Sequence, residues 1–335
     1  MARAAMRTIS VVVPLFNSAP LLERVLTPLA AAAKRGEILE ILIVDDGSTD
    51  DGPDTCRARG LELLSSGGHL GPGAARNVGV EAARGDIVLF VDADVVIHDD
   101  VPSIVRETFE AYPDCVAVFG SYDDRPAARG FVSTYVNLRH HCVHQAGNPE
   151  ASTFWAACGA ADRRAFTDAG GYDIARFERS SIEDIELGQR LRRRGGRILL
   201  RKDMLCTHLK RWTLRDMVVT EIFRRALPWG RLMMQPGYLA SELNVSTRER
   251  WKAGLALLLV ASVLAAPFYA PLGLAALAFA VLAFRVNRRL FRLILKRRGW
   301  AAMLVGVALH QLYYLYSSLT YGYCVLESAA RGPVR

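Results

Sequence analysis

The chain has 335 residues, enough for one large domain or two, and 51% of them are hydrophobic, more than a single soluble core usually requires. Its formal net charge is +8, but seven Arg and Lys residues fall in one acid-free run, 285–298, so the remainder is close to neutral and a broad nucleic-acid-binding surface is not expected. The six Cys are scattered without close pairs, which fits reduced thiols and no zinc site.

The N-terminal segment MARAAMRTISVVVPLFN has too short an apolar run and no cleavage site, so it is not read as a signal peptide. Short apolar runs then recur at 9–14 (ISVVVP), 40–46 (EILIVDD), 86–92 (DIVLFVD) and 115–120 (CVAVFG). Between them, 18–34 and 72–84 show helical spacing. This alternation predicts βαβ units and a mainly parallel sheet, whose ligands sit beyond the carboxyl ends of the strands. Polar groups gather at those ends. Pro14, Phe16 and Asn17 follow the first run, Asp45 and Asp46 end the second, and Asp92, Ala93 and Asp94 end the run at 86–92.

Each of these groups also has an ordinary reading. DDGSTD at 45–50 suits a turn followed by a helix cap. GPGAARNVG at 71–79 suits a helix start, and it lacks the glycine spacing of the dinucleotide and Walker fingerprints, so neither NAD nor a P-loop triphosphate is indicated. The carboxylates of Asp92 and Asp94 need water or a positive partner, because an unpaired buried carboxylate is costly. Mg²⁺ or Mn²⁺ would serve: hard cations take carboxylate oxygens and keep positions open for substrate phosphates.

Downstream, TFWAACGAADRR at 153–164 contains the small residues Gly159 and Ala160, which would let a bound group approach the backbone closely or would equally form a tight turn. Glu183 and Asp184 open a helix expected over 183–194, where acidic residues also complement the helix dipole. Residues 213–235 have apolar positions at Leu214, Met217, Val218, Ile222 and Leu227 opposite charged ones, the spacing of an amphipathic interfacial helix or of a core-packing one. From Ala253 to Phe284 and from Gly299 to Leu326 there is no Asp, Glu, Lys or Arg. By length these stretches read as about three transmembrane spans, 251–267, 269–286 and 300–326, with the basic segment 285–298 on the cytoplasmic side.

Taken in order, SVVVPLFN, ILIVDDGSTD, GPGAARNVG, FVDADV and SSIEDIELGQRLRRRGGRI resemble the family 2 inverting glycosyltransferases of GT-A fold, over roughly residues 8–212. HQLYYLYS, further along, resembles the last span of bacterial membrane-bound members. The resemblance implies an α/β fold, with a Rossmann-like, mainly parallel mixed sheet in a catalytic domain at 1–212. Amphipathic interfacial helices at 213–250 and a helical transmembrane region at 251–335 would follow.

The activity implied is transfer of a sugar from a UDP- or GDP-linked donor to a lipid-linked acceptor at the inner membrane, with the catalytic domain cytoplasmic. By the same resemblance Pro14, Phe16 and Asn17, with Asp45 or Asp46, hold the nucleoside, and Arg76 lies near the base or diphosphate. Asp92 and Ala93 face the ribose or metal, and Asp94 ligates the metal. Asp184 matches the position of the base that takes the acceptor proton, supported by Glu183. CTHLKRW at 206–212 lines up with the Q-x-x-R-W signature of processive synthases, with His208 in place of Gln. His208 is then expected to complete the metal shell, while Arg211 and Trp212 contact the acceptor. The substitution favours one sugar per event. A processive polysaccharide synthase and a non-catalytic membrane scaffold are the alternatives.

Overall fold

A computed structural model describes residues 6–177, 180–238 and 243–331. In chain order the first elements are β1 (Ile9–Leu15), α1 (Ala19–Lys34), β2 (Glu40–Asp45), α2 (Gly52–Ala58), β3 (Glu62–Ser65), α3 (Pro72–Ala82), β4 (Ile87–Val91), β5 (Val95–Ile97) and α4 (Val101–Ala111). Next come β6 (Cys115–Tyr122), α5 (Phe131–Ala146), β7 (Glu150–Ala151), β8 (Cys158–Asp162), α6 (Arg163–Asp168), α7 (Glu183–Arg193) and β9 (Arg197–His208). The remainder is helical: α8 (Leu214–Val219), a π-helical stretch Thr220–Ala226, α9 (Leu227–Met233), α10 (Thr247–Ala265), α11 (Pro271–Val286) and α12 (Arg288–Arg331).

These elements form two compact units. The first comprises the described residues through Asp123 with Gly147–Leu209; the second comprises Asp124–Ala146 with the residues from Lys210 onward. The first unit is built on a mixed sheet of strand order β3-β2-β1-β4-β8-β6-β9-β5, with β7 on β9. Strands β3, β2, β1 and β4 run parallel, while β8 is antiparallel to both β4 and β6. Every residue of β1 and β4 is buried, as expected of strands covered on both faces. Helix α3 lies directly against β1, since a Cβ on Gly79 would stand 2.4 Å from a Val12 methyl. That contact sets where Arg76, one turn earlier, meets the strand ends.

The second unit packs α5, α8 and α12 around Tyr135, Leu138, Met217, Phe291 and Met303. Here the hydropathy reading fails: among the described residues no helix is long and apolar enough to cross a membrane. Four of the first six residues of α10 are charged, leaving an apolar stretch of about 20 Å. The sixteen residues of α11 reach only about 24 Å, short of a hydrocarbon core of about 30 Å. Helix α12 is broken at Gly299 (φ 78°, ψ −175°). Beyond the break it is long enough but carries His310, Gln311, five tyrosines and Glu327. The expected transmembrane region does not stand, nor does the multi-pass inner-membrane localisation drawn from it. Absence of charge counted residues that a turn at 266–270 divides between two short helices; Leu264 and Leu274 on the helices and Phe268 in the turn are exposed.

Candidate active site

Three strand ends and the first turn of α7 bring the expected residues together in the first unit. Loop β1–α1 and loop β2–α2 are joined through Asn17, which adopts φ 46°. Its backbone N–H donates to Ser48 Oγ (3.1 Å), and its Oδ1 accepts from the Thr49 backbone N–H (2.8 Å). Pro14 is buried inside β1, whereas Phe16 is exposed and stacks on His69 with ring centroids 4.1 Å apart and planes at 23°.

The two adjacent aspartates at the end of β2 separate by role. Asp46 is buried and accepts from Ser66 Oγ (2.7 Å) and the backbone N–H groups of Leu70 and Gly71 (both 2.9 Å), so both its oxygens hold the loop leading into α3. Asp45 is half-buried and accepts from the Ser48 N–H (3.0 Å).

Arg76 is the centre of the constellation. It is 4% exposed, donates to Asp92 Oδ1 at 2.6 Å and faces Glu183 Oε1 at 3.5 Å. Burial works against its charge, but Asp92 and then Tyr172 and Glu183 more than offset this and raise its pKa. Glu183 also accepts from the Ser181 N–H at 2.7 Å, fixing the loop before α7. Asp184, its neighbour, accepts from the Ile185 N–H (2.8 Å) and the Ala156 N–H (3.4 Å). Its pKa is pushed up to about 7, first by burial and then by repulsion from Glu183, with Arg76 pulling the other way. A carboxylate poised there titrates where a general base is most effective.

Asp94 and His208 meet across the β5–β9 pairing, and the Leu209 N–H donates to the Asp94 carbonyl at 2.8 Å. His208 stacks on Tyr122 at 4.3 Å, which holds its Nε2 3.6 Å from Asp94 Oδ2. A carboxylate oxygen and an imidazole nitrogen are both donor types that divalent cations accept. Among the described residues no group of three or more His, Cys, Asp and Glu is arranged to hold a metal. Asp92 is turned toward Arg76, and Ala93, between the two acids, is buried.

Four expected residues are not part of this group. Gly159 and Ala160 lie buried in β8, where a Cβ on Gly159 would come within 2.3 Å of the Trp155 carbonyl; backbone packing accounts for the small residue. Arg211 and Trp212 belong to the second unit, where Arg211 is exposed and Trp212 joins the helical core with its backbone N–H donating to Ser133 Oγ at 2.8 Å. Conversely, the sequence reading passed over Tyr172, whose ring lies 5.5 Å from the Arg76 guanidinium carbon, and Asn77, which clamps it. The signal available was the Gly170–Gly171 pair preceding an aromatic residue.

Residues 10–168 match the model of glycosyl transferase family 2. The chain is 27% identical over 142 residues to glycosyltransferase GlyG of Streptococcus pneumoniae, covering 41% of this chain and 46% of that protein. It is 29% identical over 137 residues to an undecaprenyl-phosphate 4-deoxy-4-formamido-L-arabinose transferase of Shewanella sediminis, covering 38% and 41%. The chain thus spans less than half the length of these curated relatives. Among solved structures, the mannosyltransferase PcManGT of Pyrobaculum calidifontis, in complex with GDP-Man and Mn²⁺, superposes with a TM-score of 0.51 at 19% identity, over 95% of this chain and 88% of that one. This likeness is one of fold.

Proposed function

We propose that the protein is an inverting glycosyltransferase that moves one sugar from a nucleoside-diphosphate donor to a lipid-linked acceptor. The observation that carries this is the meeting of the β4 end with the first turn of α7: a buried guanidinium paired to Asp92, beside a carboxylate, Asp184, that titrates near neutrality.

In this reading an acceptor oxygen attacks the anomeric carbon, its proton passes to an Asp184 oxygen, and the bond from carbon to the diphosphate oxygen breaks with its electron pair leaving on the diphosphate. A divalent cation held by Asp94 and His208 would act as a Lewis acid on the diphosphate's developing charge. No second carboxyl is then needed to protonate the leaving group, unlike glycoside hydrolysis. Asn17, Asp45 and the exposed Phe16–His69 stack stand at the strand ends where the nucleoside is read. Arg76 orients Asp92 and restrains the pKa of Asp184.

The GDP-Man and Mn²⁺ bound by the Pyrobaculum mannosyltransferase support a nucleotide-sugar donor and a metal. The name of the Shewanella transferase supports a polyprenyl-phosphate acceptor. The test is calorimetric titration with UDP, GDP, UDP-glucose and GDP-mannose, with and without Mn²⁺, followed by mass spectrometry of products formed on undecaprenyl phosphate. Metal-dependent binding and a singly glycosylated lipid are expected. A protein that binds none of these nucleotides with Mn²⁺ present would sink the reading.

A further inference from the structure

Tyr172 is held in place at some cost, and the cluster just described makes no use of its polar atom. Its backbone is clamped to α3, since the Asn77 side chain accepts from the Tyr172 N–H at 2.8 Å and donates to the Tyr172 carbonyl at 2.9 Å. The preceding Gly171 has φ 63°, and a Cβ there would lie 2.6 Å from Asn77 Oδ1, so only glycine admits the clamp. The ring packs against Phe166 (5.4 Å) and Phe90 (6.0 Å), while the guanidinium carbon of Arg76 stands 5.5 Å from its centroid. Gly73 closes another side, since a Cβ there would sit 3.3 Å from the Tyr172 Cβ and 3.8 Å from the Glu183 Cγ.

Despite this fixation, the hydroxyl is buried and has no hydrogen-bond partner among the described residues. Burial raises its pKa first; Arg76 opposes this, while Asp184, Glu183 and Asp92 raise it further, so the phenol keeps its proton. An unpaired buried hydroxyl lowers stability, and phenylalanine would fill the same space without that loss. The oxygen is therefore best understood through a partner that arrives with substrate.

We infer that the Tyr172 hydroxyl hydrogen-bonds a hydroxyl group of the transferred sugar and so discriminates among nucleotide-sugar donors. This rests on the function proposed above. There the diphosphate lies toward the cation held by Asp94 and His208 and the acceptor toward Asp184, and the sugar ring is what lies between those two sides. A site that hydrogen-bonds a substrate hydroxyl rejects the analogue lacking it far more strongly than an apolar pocket rejects a changed methylene.

The test is Tyr172→Phe in the full chain, with thermal melting and titrations of UDP, GDP, UDP-glucose and GDP-mannose in the presence of Mn²⁺. The expected result is a melting temperature unchanged or raised and nucleoside-diphosphate affinity within about twofold of wild type. Affinity for the nucleotide sugar that wild type prefers should fall about tenfold or more. A donor lacking the single hydroxyl concerned should bind both proteins equally poorly. Nucleotide-sugar affinity unchanged in Tyr172→Phe, or an equal loss for the free nucleotide, overturns the inference. A wild type that binds neither nucleotide nor nucleotide sugar overturns the proposed function itself, an outcome distinct from wild-type binding that the substitution leaves untouched.

Discussion

Each unit of this protein buries an arginine beside carboxylates, and the two arrangements differ in how completely they are satisfied. In the helical unit Arg139, 4% exposed, donates to Glu221 at 2.7 Å and lies over the ring of Tyr313 at 4.4 Å. Glu221 also accepts from Arg225 at 2.9 Å and from the Tyr316 hydroxyl at 3.1 Å. Burial would raise the pKa of Glu221, but Arg139, then Arg225, hold it below the usual carboxylate value. In the sheet unit, among the described residues, Arg76 leaves its Nε without a partner and Tyr172 its hydroxyl idle, while the pKa of Asp184 is driven upward. A closed network is a structural device; one with unmade bonds and a displaced pKa is the mark of a site waiting for a ligand.

The largest expected effect lies in the open cluster and is one of rate. Asp184→Asn is isosteric and removes both the base and its repulsion with Glu183. Sugar transfer should fall by about 10²- to 10⁴-fold while nucleotide affinity and melting temperature are maintained or improve. Single-turnover assays beside calorimetry separate the two. A parallel loss of binding and rate would mean that Asp184 shapes the pocket and does not accept the proton.

The closed cluster should respond in stability instead. Glu221→Leu leaves the Arg139 guanidinium buried without its carboxylate, and about 3–5 kcal/mol should be lost in urea unfolding. The double substitution Arg139→Met with Glu221→Leu should recover most of that, since an apolar pair of similar volume often replaces a buried ion pair without loss. Were the double variant as unstable as the single one, the aromatic contacts of Arg139 would be carrying the stability, and not the ion pair.

The contrast also shows what could be read from residue order. The runs predicted as strands match β1, β2, β4 and β6 to within about two residues, because buried parallel strands are short apolar runs punctuated by turn residues. The rim acids were visible for the same reason: a charge at the end of such a run must meet water or a partner. Which partner was not visible. Arg76 and Glu183 are separated by 107 positions and meet only in the folded chain, where α3 packs against β1 and Gly73 of α3 lies against Tyr172 and Glu183. Likewise Arg225 and Arg231, charged positions of the amphipathic segment 213–235, are engaged by Glu221 and Glu327. In the helical unit hydropathy reported composition faithfully but not helix length. The charge-free stretch 253–284 is shared by α10 and α11, and Tyr314 reaches Glu249 at 2.8 Å and Asn287 at 3.2 Å, a polar contact set that a hydropathy window cannot register.

Acidity offers a smaller but more diagnostic effect. Asp184 must be ionised to accept a proton, so kcat/KM should rise with pH through about 7 and fall about tenfold per unit well below it. Its folded pKa lies above the unfolded value of 3.8, so between these values the folded state holds the extra proton, and Asp184's contribution to stability declines as pH rises across that window. Urea midpoints at pH 5 and pH 8 should reveal this slope, and Asp184→Asn should lack it. Arg76→Met removes a charge that lowers the pKa of Asp184, so it should move the acid limb to higher pH. An unmoved limb would assign the titration to another group.

The smallest expected effects divide two neighbouring aspartates. Asp46 receives the Ser66 hydroxyl and the N–H groups of Leu70 and Gly71, so Asp46→Ala strands donors at the entrance to α3 and should cost about 1–3 kcal/mol, with nucleotide affinity changing only as the loop loosens. Asp45 accepts one backbone N–H, from Ser48, and stands half-buried at the strand end. Asp45→Ala should barely move the unfolding midpoint but weaken nucleotide binding severalfold. Parallel unfolding and titration series on the two variants decide between them. If Asp46→Ala were the one to lose nucleotide at unchanged stability, its hydrogen bonds to the 66–71 loop would have to open on binding, and the division between a closed, structural carboxylate and an open, functional one would fail inside a single dipeptide.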